Sequence, residues 1–351
     1  MRRLSLGATV FAAAFAFLSN PASAQPFGAW ETFSGPTSGY VEVPSAADLN
    51  PSTSITIEAW VAVTDANGGT SCSSIVGKDY IQSYWVGLCG NQLRSYFRGS
   101  ASSYTVGTLD SGWHHIAAVF DGVAHVHCHF IDGVLVGVNP ETGAPTASSA
   151  ALRIGSDVSW PHTPSGSIDE VRIWSVARTT AEIRSTINVP IHAAQPGLVG
   201  VWSFDGGVGD VVGGHGGTVG GSGVFPFTFP VVLSCGAGSP TAPCLDGRFS
   251  VSVTWRTDDG STGQGTAVEC ASDDSAIFWF FDPANWELLV KAHNACVDPF
   301  NRWWLFSAAT TNVFYRLDVL DVRAGVNKIY FNYSGPPAPA VTDTDAFATC
   351  P

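Results

Sequence analysis

The sequence predicts an all-β protein built from two sandwiches, and three observations carry that expectation. Apolar and polar residues alternate through many short runs, the period of a strand with one buried face. Turn-forming residues punctuate these runs, with 38 Gly and 21 Pro but a single Met in 351 residues. One short segment, Thr180 to Thr186, has helical character, opened by Thr179 or Thr180 as N-cap. Many short strands with almost no helix mean a β-sandwich or jelly roll.

Residues 1–24 stand apart from this pattern. Arg2 and Arg3 precede an apolar run from Leu6 to Leu18, and Ala22-Ser23-Ala24 forms a small-residue cleavage site. That is the form of a secretory signal peptide, so the mature chain is expected to begin near Gln25, outside the cytoplasm. No later run reaches the length of a membrane span. The remaining 327 of 351 residues suffice for two domains. The net charge is −13 with 16 basic residues and no basic stripe, which argues against nucleic acid or anionic membrane as partner.

Eight cysteines in an exported chain point to disulfides, and the absence of a CxxC pair argues against a zinc ribbon. Cys72–Cys89 would close a hairpin and Cys235–Cys244 a short loop at a domain edge. The partners of Cys128, Cys270, Cys296 and Cys350 are left open, with Cys128 a candidate buried free thiol between Val126 and Phe130.

Strands are expected at Tyr40–Val43, Ser54–Val63, Ser74–Lys78, Tyr84–Leu88, Leu93–Phe97, Tyr104–Val106, His114–Phe120 and His125–Ile131. Asp132-Gly133 is a hairpin turn returning into Val134–Val136. Leu152–Gly155 precedes a strand through Ser165–Val176, where Ile168, Val171, Ile173 and Val176 suggest one buried face. Leu198–Phe204 closes the unit.

Seven ordered motifs run through these strands: Ile57-Glu-Ala-Trp-Val61, Ile75-Val-Gly-Lys78, Gly112-Trp-His-His-Ile-Ala-Ala118, Ile131-Asp-Gly133, Ile154-Gly155, Ser167-Ile-Asp-Glu-Val-Arg-Ile-Trp174 and Leu198-Val-Gly-Val-Trp-Ser-Phe204. Residues 25–226 therefore resemble the laminin G-like group of the concanavalin A-like lectin/glucanase superfamily, which includes pentraxins. The resemblance implies a concanavalin A-like jelly-roll sandwich and leaves function open, since that fold hosts lectins, glycosidases and adhesion modules.

The Gly-rich stretch Gly206–Gly223 and the prolines after it place a linker at 227–241, followed by a smaller β-sandwich at 242–351. Its strands are expected at Arg248–Trp255, Ile277–Phe281, Trp286–Lys291, Trp303–Phe306, Val313–Val319 and Lys328–Asn332. The unit is similar to a C-terminal module common in secreted bacterial proteins, a resemblance that implies no activity.

The chemistry candidates centre on Asp169. Glucanases of the superfamily carry Glu-x-Asp-x-x-Glu on one strand, and aligning Asp169 with that Asp puts Ser167 and Arg172 where both catalytic carboxylates belong. Asp132, Glu141 and Asp157 fall in loops without that spacing. Laminin G-like and pentraxin sandwiches often hold Ca²⁺ through Asp and backbone carbonyls, which makes Asp169 a candidate ligand; the alternative is a cap on the Gly166 turn. A regular strand would also point His125, His127 and His129 to one side, where adjacent imidazoles could chelate Zn²⁺, Cu²⁺ or Ni²⁺. The plainer expectation is a polar, solvent-facing row with Val126, Cys128 and Phe130 behind it as core.

The expected function is that of a secreted, non-catalytic binding protein. Loops Asn67–Cys72, Tyr80–Tyr84, Asn139–Thr146 and Ser156–Ser165 are the candidate ligand rim, for a glycan or an extracellular protein, with Ca²⁺ as the one cofactor. The competing readings are a polysaccharide-active enzyme with an accessory laminin G-like domain, and an envelope structural protein.

Overall fold

The computed structural model describes residues 29–350 apart from 36–38, 51–52, 66–70, 98–103, 111, 142, 144, 229–233, 237 and 269–271. The expected signal peptide, most of the loop from Asn67, and Cys270 lie outside the described residues. In chain order the first unit contains β1 (Ala29–Ser34), β2 (Gly39–Val43), β3 (Ser54–Thr64), β4 (Ser73–Lys78), β5 (Tyr84–Cys89), β6 (Gln92–Phe97), β7 (Tyr104–Thr108) and β8 (His114–Asp121). It continues with β9 (Val126–Ile131), β10 (Val134–Pro140), β11 (Leu152–Ile154), β12 (Ser165–Trp174), α1 (Thr180–Thr186), β13 (Leu198–Trp202), β14 (Thr218–Gly221) and β15 (Val224–Thr228). The second holds β16 (Cys244–Leu245), β17 (Phe249–Arg256), β18 (Thr262–Gln264), β19 (Thr266–Ala267), β20 (Ser275–Trp279), β21 (Leu288–Ala295), β22 (Arg302–Ala309), β23 (Phe314–Asp321), β24 (Val326–Asn332) and β25 (Val341–Phe347).

The first sandwich faces an eight-stranded sheet, ordered β10-β9-β8-β3-β12-β1-β15 with β13 also on β12, against a seven-stranded sheet, ordered β14-β2-β11-β4-β5-β6-β7. Alternate residues of β3, from Ile55 through Ile57, Ala59 and Val61 to Val63, share one core with Val41, Val76, Val86, Leu152 and Ile154. Buried apolar area of this kind is the main favourable term in holding two sheets together.

Two local devices shape the eight-stranded sheet. Ile168 and Val171 are three residues apart, so plain alternation would send them to opposite faces, yet both lie in the core. A register break between Asp169 and Arg172, with Glu170 in the left-handed region at φ 49°, inserts the residue that turns Val171 inward. Asp132 and Gly133 both have positive φ, 51° and 69°, as a two-residue hairpin turn with the native twist requires. The helix begins with a capping box in which the Thr179 hydroxyl accepts from the Glu182 amide and the Glu182 carboxylate accepts from the Thr179 amide.

The second sandwich pairs the sheet β16-β17-β23-β24, with β18 on β17, against β19-β20-β21-β22-β25. Phe249, Val251 and Val253 of β17 meet Phe278, Val290, Leu305, Leu317 and Val319 in its core. Disulfides join Cys72 to Cys89, Cys235 to Cys244 and Cys296 to Cys350, while Cys128 is a free, half-buried thiol.

The two sandwiches meet on the outer face of the eight-stranded sheet. Trp60, Trp113, Ile187 and Ile329 form a separate buried cluster there. The Trp60 indole donates to the Ile187 carbonyl at 2.9 Å, and Asn188 donates to the Ile329 carbonyl at 2.5 Å. Arg316 of β23 donates to the Trp113 carbonyl and to Asp318.

His114 stands beside this seam, with Nδ1 2.9 Å from Asp132 and Nε2 3.1 Å from Asp110. Burial works against its charge, but Asp132 and Asp110 outweigh that and raise its pKa from 6.5 to about 9. A histidine whose folded pKa is raised stabilises fully below its unfolded pKa and loses that contribution as pH rises through the folded value. The melting temperature is therefore expected to fall between pH 6.5 and about 9. His114→Gln should flatten that slope, and equal slopes for variant and parent would refute the assignment.

Candidate functional site

The end of β4 and the loop after β11 meet on the outer face of the seven-stranded sheet. Asp157, fully buried, holds them together by accepting from the amides of Tyr80 at 3.0 Å, Ser159 at 2.8 Å and Trp160 at 2.9 Å. Burial pushes its carboxyl up, the three amides oppose this, and the charge of Asp79 adds to the rise. Asp79, in the left-handed region at φ 61°, accepts from Ser159 at 2.8 Å and Ser148 at 3.0 Å. Gly77 makes this possible, because a Cβ there would lie 2.6 Å from the Asp157 Cβ and 2.5 Å from one of its oxygens.

The loops so fixed bring aromatic rings together. Tyr80 lies 5.0 Å from Tyr96 and 5.9 Å from Trp160, measured between ring centroids, with buried Trp85 5.8 Å beneath it. His162 stands edge-on to Trp160 at 4.8 Å. The Trp160 indole donates to the Cys72 carbonyl at 2.8 Å, so the Cys72–Cys89 disulfide braces this rim. Arg94 reaches both sulfurs, 3.7 Å from Cys72 and 3.5 Å from Cys89. Tyr80, Tyr96, Trp160 and His162 keep part of their surface in water. A row of half-exposed rings with hydroxyl and imidazole groups at its edge suits a ligand with one apolar face and polar edges.

Two of the expected rim loops, Tyr80–Tyr84 and Ser156–Ser165, meet here beside Cys72. The rings themselves escaped the sequence reading, and Asp157 read as an isolated loop charge. The available signal was that Tyr80 and Trp160 fall inside those loops. Among the aromatic residues of the second unit, Phe278, Phe280 and Trp303 are core, whereas Trp304 and Phe281 face outward.

Asp169 has no solvent exposure. One of its oxygens accepts from the Glu170 amide at 2.7 Å, while Oδ2, like Glu170 Oε1, is buried without a hydrogen-bond partner. Burial and the charge of Glu170 push the Asp169 carboxyl well up. These oxygens fit a hard cation in chemistry, although among the described residues no three His, Cys, Asp or Glu side chains converge on one point. Arg172, in the position of a glucanase carboxylate, pairs with Glu170 at 2.7 Å and is fully buried.

The histidine row differs from the solvent-facing strand expected. His125 is exposed in a left-handed turn at φ 54°, before β9 begins. His127 and His129 are fully buried inside the sandwich, where both Nε2 atoms contact the Ser95 hydroxyl, at 2.7 and 2.6 Å. The two rings stack at 4.4 Å, and burial lowers both pKa values, that of His129 to about 4. Val126 and Cys128 are only half-buried, and Phe130 packs outward with Ile183 of α1. Both faces of β9 are covered, so alternation alone could not reveal which face looks inward.

Residues 34–184 match the family model for the concanavalin A-like lectin/glucanases superfamily, of laminin G type. Over that range the first sandwich is similar to laminin G-like domains. Among solved structures it resembles a putative carbohydrate-binding protein from Bacteroides ovatus, at 19% identity and a TM-score of 0.49 over 58% of this chain. The chain spans 60% of that protein. A heptameric pentraxin of Limulus polyphemus (12% identity, TM-score 0.37, 57% of this chain and 94% of that one) is also similar. So are domains LG4-5 of the mouse laminin α1 chain (12% identity, TM-score 0.36, 91% of this chain and 80% of that one). At these identities the likeness is one of fold. No curated protein matches the chain significantly.

Replacing Asp157 by Ala leaves three part-buried amides without their acceptor and should cost about 2–4 kcal/mol. Gly77→Ala should cost a comparable amount by displacing the same carboxylate. Denaturant melts of both variants measure this, and a loss below about 0.5 kcal/mol for either would show that Asp157 does not hold the rim.

Proposed function

We propose that the protein is exported and binds a glycan, without catalysis, across Tyr80, Tyr96 and Trp160 of its laminin G-like domain. The observation that carries this reading is the convergence of three half-exposed rings from three chain segments, two of them on loops joined by one buried carboxylate. The C–H faces of a sugar pack on such rings while its hydroxyls reach the polar edge. Ser167 and Arg172, standing where the superfamily's glucanases carry carboxylates, support the non-catalytic part. The signal-peptide form of residues 1–24 supports export.

The test uses protein recovered from the medium of expressing cells, expected to begin near Gln25, on a glycan array and a polysaccharide panel. Saturable binding without release of reducing ends is expected. Tyr80→Ala combined with Tyr96→Ala should weaken binding about tenfold or more at an unchanged melting temperature. Release of reducing ends, or binding indifferent to both substitutions, would overturn the reading.

Calcium belongs to the same proposal, with Asp169 as its ligand. The support is the buried oxygen without a hydrogen-bond partner, beside a second such oxygen on Glu170. A cation bound only by the folded state raises its stability by mass action. EDTA should therefore lower the melting temperature, calcium should restore it, and Asp169→Asn should abolish the difference. A melting temperature indifferent to EDTA and calcium would remove the ion from the proposal.

A further inference from the structure

The chain is acidic, and six of its arginines are matched to carboxylates. Arg153, Arg172, Arg178, Arg248, Arg302 and Arg316 each pair with an Asp or Glu. Arg184 and Arg256 have no carboxylate in salt-bridge range among the described residues, and both line the same cleft. It has a volume of about 300 Å³ and opens where the β9–β10 hairpin and α1 of the first domain face β17, β23 and the end of β24 of the second.

Both guanidinium groups are positioned without using most of their N–H donors. Arg184 lies over the Tyr333 ring at 3.5 Å and donates Nε to the Gly133 carbonyl at 2.8 Å. Arg256 lies over the Phe314 ring at 4.6 Å. The two rings are 6.0 Å apart, so they form one support for both cations. Stacking of this kind holds a guanidinium plane in place while its edge stays available for a carboxylate. The Tyr333 hydroxyl is also buried without a hydrogen-bond partner. Asp258 and Ser334, both exposed, complete the polar lining. Asp258 would repel a simple anion but accepts hydrogen bonds from hydroxyl groups.

From this we infer a second ligand site, in the cleft between the sandwiches, for a sugar that carries a carboxylate. Arg184 and Arg256 take the carboxylate, and Asp258 and Ser334 take ring hydroxyls. The volume is at the lower end for ligand sites and suits a terminal acidic sugar rather than a polymer backbone. Neither arginine was singled out by its sequence context, because the two are 72 positions apart in different domains.

The test is calorimetric titration of the mature full-length chain with D-glucuronate, N-acetylneuraminate, the neutral sugar galactose and inorganic phosphate. At least one acidic sugar should bind, more weakly as salt is added, whereas galactose and phosphate should not compete for the site. Arg256→Gln and Arg184→Lys should each weaken acidic-sugar binding about tenfold or more. Melting temperatures of both variants near that of the parent establish that they fold, and Arg256→Gln, on a half-exposed residue, is the milder change. Binding of phosphate equal to that of the acidic sugars would mean a simple anion site and overturn the inference. So would acidic-sugar affinity unchanged in Arg256→Gln, or no binding by any acid tested.

Discussion

Glu58 lies at zero exposure on the outer face of β3, and the covering of the eight-stranded sheet follows from it. A lone buried carboxylate costs several kcal/mol, so it persists only with charged partners around it. Arg178 meets one oxygen at 2.5 Å, and His115 stands 3.3 Å from the other, at ion-pair distance without hydrogen-bond geometry. Burial pushes the Glu58 carboxyl up, and His115 and Arg178 outweigh it and hold it below the ordinary value. Arg178 in turn donates to the Glu182 carbonyl, which ties α1 to the sheet. Arg172 does the same from β12, through the carbonyls of Thr186 and Val189 at 2.8 Å each. The residues that follow α1 supply the Ile187 carbonyl for Trp60 and the Asn188 side chain for Ile329. One buried charge is thus linked, contact by contact, to the seating of the second sandwich.

That arrangement divides the surface of the laminin G-like domain. The outer face of its eight-stranded sheet is taken by α1 and by the second sandwich. The outer face of the seven-stranded sheet keeps Tyr96 of β6 partly in water, beside Tyr80 and Trp160 on loops fixed by Asp157. Rigid loops presenting rings lose little entropy on binding, which is the condition under which weak stacking contacts add up to affinity. The seam also leaves the cleft that Arg184 and Arg256 line from different domains. The two proposed sites lie on separate surfaces, an arrangement that would let one chain engage a branched or terminally charged glycan at two points.

Much of this was legible in the sequence. Alternation located β3, β8, β17 and β23 to within a residue or two, and the Asp132-Gly133 turn and an N-cap at Thr179, one of the two expected, stand where local chemistry put them. Short or Gly-rich strands were missed: β1, β14, β15 and β16 carry little alternation and exist because a neighbouring strand edge pairs with them. The histidine row failed for a different reason. Period 2 separates the faces of β9 but does not say which is inside, and an imidazole is apolar enough to be buried when a hydroxyl such as that of Ser95 accompanies it.

Strand period, turn residues and ordered motifs are local properties, and from them the sequence by itself determined an all-β chain with a laminin G-like first domain. It also excluded the glucanase carboxylates, since Ser167 and Arg172 are visible without coordinates. Whatever depends on which side chains meet across the fold was decided only by tertiary structure. The bulge at Asp169 and Glu170 turns Val171 inward, Asp157 gathers the loops that carry the rings, and the docking of the second sandwich brings Arg184 to Arg256. Each joins residues far apart in the chain, and packing two sheets chooses such pairs through shape and burial that no local pattern encodes.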